Sequence, residues 1–281
     1  MARSVAKVDG GISRTSSASS SIASEGDPNI SAPMNAVASS STTILGPSNG
    51  HAEAPLQRVP TADPALLPGG YRSLSAISLH AFFLGIVLAT CVLTTVLLAR
   101  QGERLWRLPQ FVATLALFHF LEFFITAHWN TVNAKVSSYL LFSNGVQYNI
   151  AHLGAMLEII MTSVFFPSWQ SWWCNDKTVL LGISMVVVGQ SVRSVAMAQA
   201  GTNFNHIPAK RKREGHVLVT WGVYAWLRHP SYFGYYWFAV GSQVAVGNKV
   251  CATLFAIILW MFFSRRIESM PHEAIIVHWD I

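Results

Sequence analysis

Charge is what this chain has least of: only 11% of its 281 residues are Asp, Glu, Lys or Arg. Soluble domains carry about a quarter, so much of this exterior cannot face water. An ordinary soluble globule is excluded. Cysteine is scarce as well. Cys91, Cys174 and Cys251 stand far apart with no CxxC spacing, so neither a zinc site nor a disulfide framework is written in the sequence. There is no GxGxxG dinucleotide signature and no repeat at a solenoid period. Nor is there a charged n-region leading into an apolar h-region, because the first long apolar run begins only after Tyr71.

Hydrophobic residues make up 52% of the chain, and 19 Lys and Arg against 13 Asp and Glu give a formal charge of +6. Mean hydropathy is +0.38 even though a polar N-terminal stretch dilutes it. The basic residues border apolar runs and do not line one amphipathic face, which points to anionic lipid headgroups and away from nucleic acid. Residues 1–70 are rich in Ser, Ala, Thr, Gly and Pro, without apolar period. Such a segment cannot bury enough surface to offset its ordering entropy and is expected to be a disordered tail.

Residues 75–99 form an uncharged apolar run long enough to cross about 30 Å of hydrocarbon. Further runs cover 109–129, 145–166 and 178–199, carrying Glu122, Glu158 and Arg193 respectively. Two more, 232–246 and 250–263, are parted only by Gly247-Asn248-Lys249 and read as a helical hairpin whose first arm dips into the bilayer or crosses it. The expected architecture is an all-α integral membrane protein of about six transmembrane or intramembrane helices. Its parts are the tail 1–70, a four-helix region 71–200, a polar segment plus hairpin 201–267, and a closing segment 268–281. Trp169, Trp172 and Trp173 read as an interfacial aromatic belt.

The densest basic cluster, Lys210-Arg211-Lys212-Arg213 with Arg228, places residues 200–231 in the cytoplasm by the positive-inside rule. Counting back over four crossings puts the tail there too. Arg100, Arg104 and Arg107 then fall on the opposite side, against the rule. Within the spans, His119, Glu122, His128, His152, Glu158 and Arg193 are expected to face the bundle interior, with Glu158 and Arg193 pairing structurally across helices.

Residues 201–238 are too particular for a connector. They alternate polar groups with aromatics and gather His206, His216 and His229 without metal-ligand spacing. Pro230 biases His229 toward an extended backbone and suits the first position of a helix, whose free N–H groups would face an anion at the membrane surface. The plainer reading makes Arg228-His229 an interfacial anchor, and Tyr224, Trp226, Tyr232, Tyr235, Tyr236 and Trp237 a headgroup-level girdle.

The whole string decides between them. FNH at 204–206, HVLVTWGVYAWLRHPSYFG from His216 and the hairpin ending FFSRRI closely resemble the isoprenylcysteine carboxyl methyltransferases, integral membrane enzymes of the endoplasmic reticulum. The resemblance spans residues 75–267. It implies transfer of a methyl group from S-adenosylmethionine to the C-terminal carboxylate of farnesylated or geranylgeranylated cysteine in CaaX-type proteins. It further implies a cytosolic cofactor-binding segment at His216, Val217, Leu218, Val219, Tyr224, His229, Pro230, Ser231 and Tyr232, with Arg266 facing the substrate carboxylate. No catalytic general base and no metal are implied. The chain departs from the family after Ile267: ESMPHEAIIVHWDI replaces a glutamate run, and Met270 stands where the family places a cofactor-gripping glutamate. A phospholipid N-methyltransferase, or a membrane scaffold impaired by that ending, are the alternatives.

Overall fold

Six long helices occupy the apolar runs. They appear in a computed structural model that describes residues 63–171, 173–206 and 217–269. The elements are α1 (Leu74–Arg100), α2 (Arg107–Trp129), α3 (Val146–Val164), a short α4 (Pro167–Ser171), α5 (Asp176–Ala200), α6 (Pro230–Ala245) and α7 (Val250–Glu268). The tail, Trp172, the basic cluster at 210–213, His216 and the closing residues from Met270 lie outside the described residues.

Local chemistry sets the boundaries. The Ser73 hydroxyl accepts from the Ala76 N–H at the start of α1, Asn175 caps α5 in a reciprocal pair with Thr178, and Pro230 opens α6. Inside α1, Ser78, Thr90, Thr94 and Thr95 turn their hydroxyls onto carbonyls one turn back, so an apolar surround meets no unpaired hydroxyl.

Among the described residues, α1, α2, α5 and α7 are long and apolar enough to cross a membrane. The other two runs fall short for different reasons. Helix α6 has 16 residues, about 24 Å at the α-helical rise. Helix α3 has 19, but Gln147, Asn149, His152 and Glu158 make it too polar to span alone.

Helices α5 and α6 pack closely along their lengths through glycines seven residues apart on each: Gly182 and Gly189 against Gly234 and Gly241. A Cβ on Gly182 would stand 2.2 Å from the Ala245 nitrogen, and one on Gly189 would stand 2.4 Å from the Phe238 nitrogen. The two backbones are therefore in direct contact, the arrangement small residues permit in membranes. Phe111 and Phe118 of α2, Ala155 and Ile159 of α3, Phe238 of α6 and Phe255 of α7 form the main core beside this pair.

At one end of the bundle Arg107, which is buried, joins three helices. It donates to the Val246 carbonyl at 3.1 Å, the Ile159 carbonyl at 3.0 Å, Thr162 Oγ1 at 3.1 Å and the Ser163 hydroxyl. Arg104 donates to the Pro167 carbonyl at 2.6 Å. Two of the three arginines that contradict the positive-inside rule are thus consumed by carbonyls and hydroxyls of the bundle. Glu158 accepts from the N–H groups of Lys249, Val250 and Cys251 at 2.7, 2.9 and 2.7 Å, capping α7.

The opposite end gathers residues 63–73, the connection 130–145, the segment after α5 and the end of α7. The Val136 N–H donates to the Tyr71 carbonyl at 2.9 Å, and Asn130 Nδ2 donates to the Phe204 carbonyl at 2.9 Å. Residues 63–73 and the segment after α5 share one side, as the count of crossings requires.

Substituting Gly189 or Gly234 by Val should force α5 and α6 apart. The folding equilibrium should weaken by about fivefold or more if overpacking costs the usual ~1–3 kcal/mol, and folded, detergent-extractable protein should fall with it. Glycine-to-valine exchange at Gly85, whose Cβ position is open, should leave the yield unchanged; size-exclusion recovery measures both.

Candidate active site at the rim of the bundle

Glu122 and Arg193 each lie about two turns before the ends of α2 and α5, at the end of the bundle where the polar segment 201–229 begins. Arg193 Nε and Nη2 donate to Glu122 Oε1 and Oε2 at 2.5 and 2.8 Å. Glu122 is 0% and Arg193 8% exposed. The remaining guanidinium nitrogen donates to the Ser231 Oγ at 3.0 Å and carbonyl at 3.3 Å, and the group lies over the rings of Tyr235 and Phe118. The expected Glu158–Arg193 pair is not formed. Helix α3 runs antiparallel to α2 and α5, so Glu158 sits at the other end, where it caps α7.

Above this pair, His206 places Nδ1 3.6 Å from Glu122 Oε2, outside hydrogen-bonding distance. Burial holds its imidazole down to about pKa 4; Glu122 opposes the shift and Arg193 adds to it. The ring is therefore neutral at physiological pH, and its Nε2 is buried without a partner among the described residues. The His206 carbonyl accepts from Arg266 Nη2 at 3.0 Å.

Arg266 projects from the last turns of α7 with its guanidinium over the rings of Tyr232 and Phe262, at 5.7 and 5.5 Å. Among the described residues, no protein acceptor engages its Nε or Nη1. Tyr232 stacks on Phe263 at 4.8 Å and on His229 at 5.7 Å. Burial, then the neighbouring Arg228, lowers the His229 pKa, so this ring too favours its neutral form. The structure thus brings His229, Tyr232 and Arg266 into one cluster with Ser231 directly beneath.

The rest of the segment is tied to the end of α5. The Val217 N–H donates to Asn203 Oδ1 at 3.2 Å, the Val223 N–H to Gln199 Oε1 at 2.9 Å, and the Tyr224 hydroxyl to the Ala196 carbonyl at 3.1 Å. Gly222 adopts φ +64°, with the Gln199 amide seated where a Cβ would stand. Burial raises the Tyr224 pKa to about 12. Val217 and Leu218 turn their side chains outward, Val219 is half-buried, and Trp226 is 89% exposed.

The expected anion site at the start of α6 narrows. Pro230 has no N–H, and those of Tyr232 and Phe233 both bond to the His229 carbonyl, leaving the N–H of Ser231. Sequence reasoning missed the partnership of Arg193 with Glu122 and Ser231. Depth could have found it, since both charges sit equally far from the same end of parallel helices.

A sequence model of the isoprenylcysteine carboxyl methyltransferase family matches residues 180–275. The protein-S-isoprenylcysteine O-methyltransferase of Saccharomyces cerevisiae is 43% identical over 161 residues, 56% of this chain and 67% of that one. The Homo sapiens enzyme of the same name is 35% identical over 204 residues, 72% of this chain and 68% of that one. This chain belongs to that family. A solved structure of a eukaryotic intramembrane Ras methyltransferase of the family aligns at TM-score 0.64 and 30% identity, covering 73% of this chain and 71% of that one. With four helices able to span and an intramembrane relative, the chain is a multi-pass membrane protein.

A buried neutral His206 contributes a definite pH dependence. The unfolded imidazole titrates near 6.5 and the folded one near 4, so its contribution is complete above about pH 6.5 and is lost as pH falls toward 4. The detergent-solubilised protein should melt lower at pH 5 than at pH 7.5. His206→Gln should narrow that difference, as read by tryptophan fluorescence; an unchanged difference would refute the assignment.

Proposed function

We propose that this protein transfers the methyl group of S-adenosylmethionine to the C-terminal carboxylate of prenylated cysteine, at the rim built by residues 217–232 and the end of α7. Family membership supports the reaction. The observation that carries the site is Arg266: a cation on the last turns of an apolar helix, laid over Tyr232, with two nitrogens that engage no acceptor among the described residues. An α-carboxylate has a pKa of about 3.5 and is already an anion at neutral pH, so the acceptor calls for orientation and dehydration, not for a base. Arg266 orients it through a planar fork that Lys cannot reproduce.

The donor, when bound, supplies an electrophilic methyl on a sulfonium. The residues present fit such a group. Tyr224, His229 and Tyr232 offer flat aromatic faces to a purine or a sulfonium cation, and both histidines are held neutral beside it. The buried His206 Nε2, without a partner among the described residues, is the kind of polar atom that a ligand or water satisfies. The backbone of Val217, Leu218 and Val219 and the ring of Pro230 complete the wall, Ser231 supports it from beneath, and His216 adjoins it in sequence.

Transfer to a carboxylate oxygen would form the O–CH₃ bond as the S–CH₃ bond breaks and S-adenosylhomocysteine leaves as a neutral thioether, a loss of two opposite charges that a water-poor pocket favours. The setting suits a lipid acceptor as well, because each CH₂ drawn from hydrocarbon into water costs about 0.8 kcal/mol. A groove of about 320 Å³ opens between α2 and α5, lined by Leu117, Phe118, Ile183, Val187 and Phe238 with Gln190 among them. It lies one turn below Arg193 and suits sideways entry of an isoprenoid. We assign the rim to the cytosolic face of the endoplasmic reticulum membrane, with residues 1–70 as a cytosolic tail, the side the basic cluster at 210–213 favours.

Membranes containing the chain, given radiolabelled methyl donor with a farnesylated cysteine analogue and phosphatidylethanolamine, should form base-labile methyl ester. Label in the phospholipid would reassign the substrate, and no transfer would overturn the reading. Arg266→Lys should lower kcat by about tenfold or more while leaving S-adenosylhomocysteine affinity within about twofold. Equal losses in both would remove the arginine from the carboxylate.

A further inference from the structure

Most of the buried polar groups in this bundle have a structural task that accounts for them. Arg107 and Glu158 fasten the far end using backbone groups and hydroxyls, with no salt bridge to either among the described residues. The Glu122–Arg193 pair is different. Helices α5 and α6 are already in backbone contact along the glycine stripe, so Arg193 is not needed to join them. Replacing a buried ion pair by packed apolar groups is often neutral or stabilising, so stability alone does not account for it. Its third donor nitrogen is spent on the first turn of α6, where the carbonyl and hydroxyl of Ser231 both accept.

We propose that Glu122 and Arg193 are positioning residues of the methyl-transfer site: the pair fixes the first turn of α6 through Ser231 and seats His206, whose carbonyl in turn holds Arg266. The inference rests on the function proposed above and assigns that site its support. The geometry supplies each link. Glu122 engages the Nε and Nη2 edge of the guanidinium, which leaves Nη1 for Ser231 in the first turn of α6. A single bidentate carboxylate thereby fixes where Ser231 and its neighbours His229 and Tyr232 sit. The neutral His206 ring rests 3.6 Å from the same carboxylate, and the Arg266 guanidinium hangs from the His206 carbonyl at 3.0 Å. The donor-side aromatics and the acceptor-side cation thus share one buried origin, which sets the distance between them. Neither Glu122 nor Arg193 touches the reacting atoms; both act through other residues.

The test is steady-state kinetics of membrane-embedded variants, normalised to folded protein, together with S-adenosylhomocysteine affinity. Arg193→Lys keeps the charge but loses the fork, and Glu122→Gln keeps the shape but loses the anion. Each should lower kcat/KM by about tenfold or more and weaken S-adenosylhomocysteine by a similar factor. Glu158→Gln, a change at the far end, should lower the melting temperature without altering kcat/KM per folded molecule. If Arg193→Lys and Glu122→Gln behave like Glu158→Gln, the pair is structural and the proposal fails.

Should either variant fail to fold, Ser231 decides. Ser231→Ala should lose donor affinity and Ser231→Thr, which restores a hydroxyl, should recover most of it; wild-type affinity in Ser231→Ala overturns the proposal. Absence of methyl ester with the unaltered protein would refute the function instead, while S-adenosylhomocysteine retention by the same variants still tests the positioning role.

Discussion

Every polar group that enters hydrocarbon must find its partner inside the protein, and this constraint organises the bundle. The chain meets it at two levels. At one end, single charges are spread over several backbone groups: Arg107 on carbonyls and hydroxyls from α3 and the end of α6, Glu158 on three consecutive N–H groups at the start of α7. At the other end, two charges neutralise each other, and the pair still has a donor left for Ser231. The first end closes the bundle. The second leaves groups directed toward the rim, and that is where the residues of the proposed chemistry lie.

Much of the architecture was legible because apolar runs in a membrane protein are bounded by unambiguous signals. Pro230 and the Gly247-Asn248-Lys249 turn mark helix ends by local chemistry, and the observed boundaries fall within a few residues of them. Which helices cross unaided was less legible, since α3 looks like a span by length but carries enough polar residues to require neighbours. The closely packed face of α5 and α6 was not anticipated, because a glycine in an apolar run reads as neutral until its partner helix is known.

The site was legible in composition and not in connection. The motif at 228–232 and Arg266 were recognisable as a family pattern, and the fold brings His229, Tyr232 and Arg266 together. Sequence alone assigned Arg193 to Glu158 because both are single charges in apolar helices. Opposite helix direction separates them, and only a comparison of depth distinguishes Glu122 from Glu158. Arginines 104 and 107 misled in a similar way: charge counting treats them as loop cations, whereas the structure has already spent them on carbonyls.

The glycine contact between α5 and α6 has a consequence for how such a site opens. Residues 201–206 leave the end of α5 and residues 217–229 lead into the start of α6, two posts whose separation is set by the touching backbones. The described parts of that segment are thus fastened to one rigid bar, and any opening must leave their spacing intact. Arg266 hangs from the His206 carbonyl beside the same bar, so cation and aromatic rings keep a set separation, like the arms of one caliper.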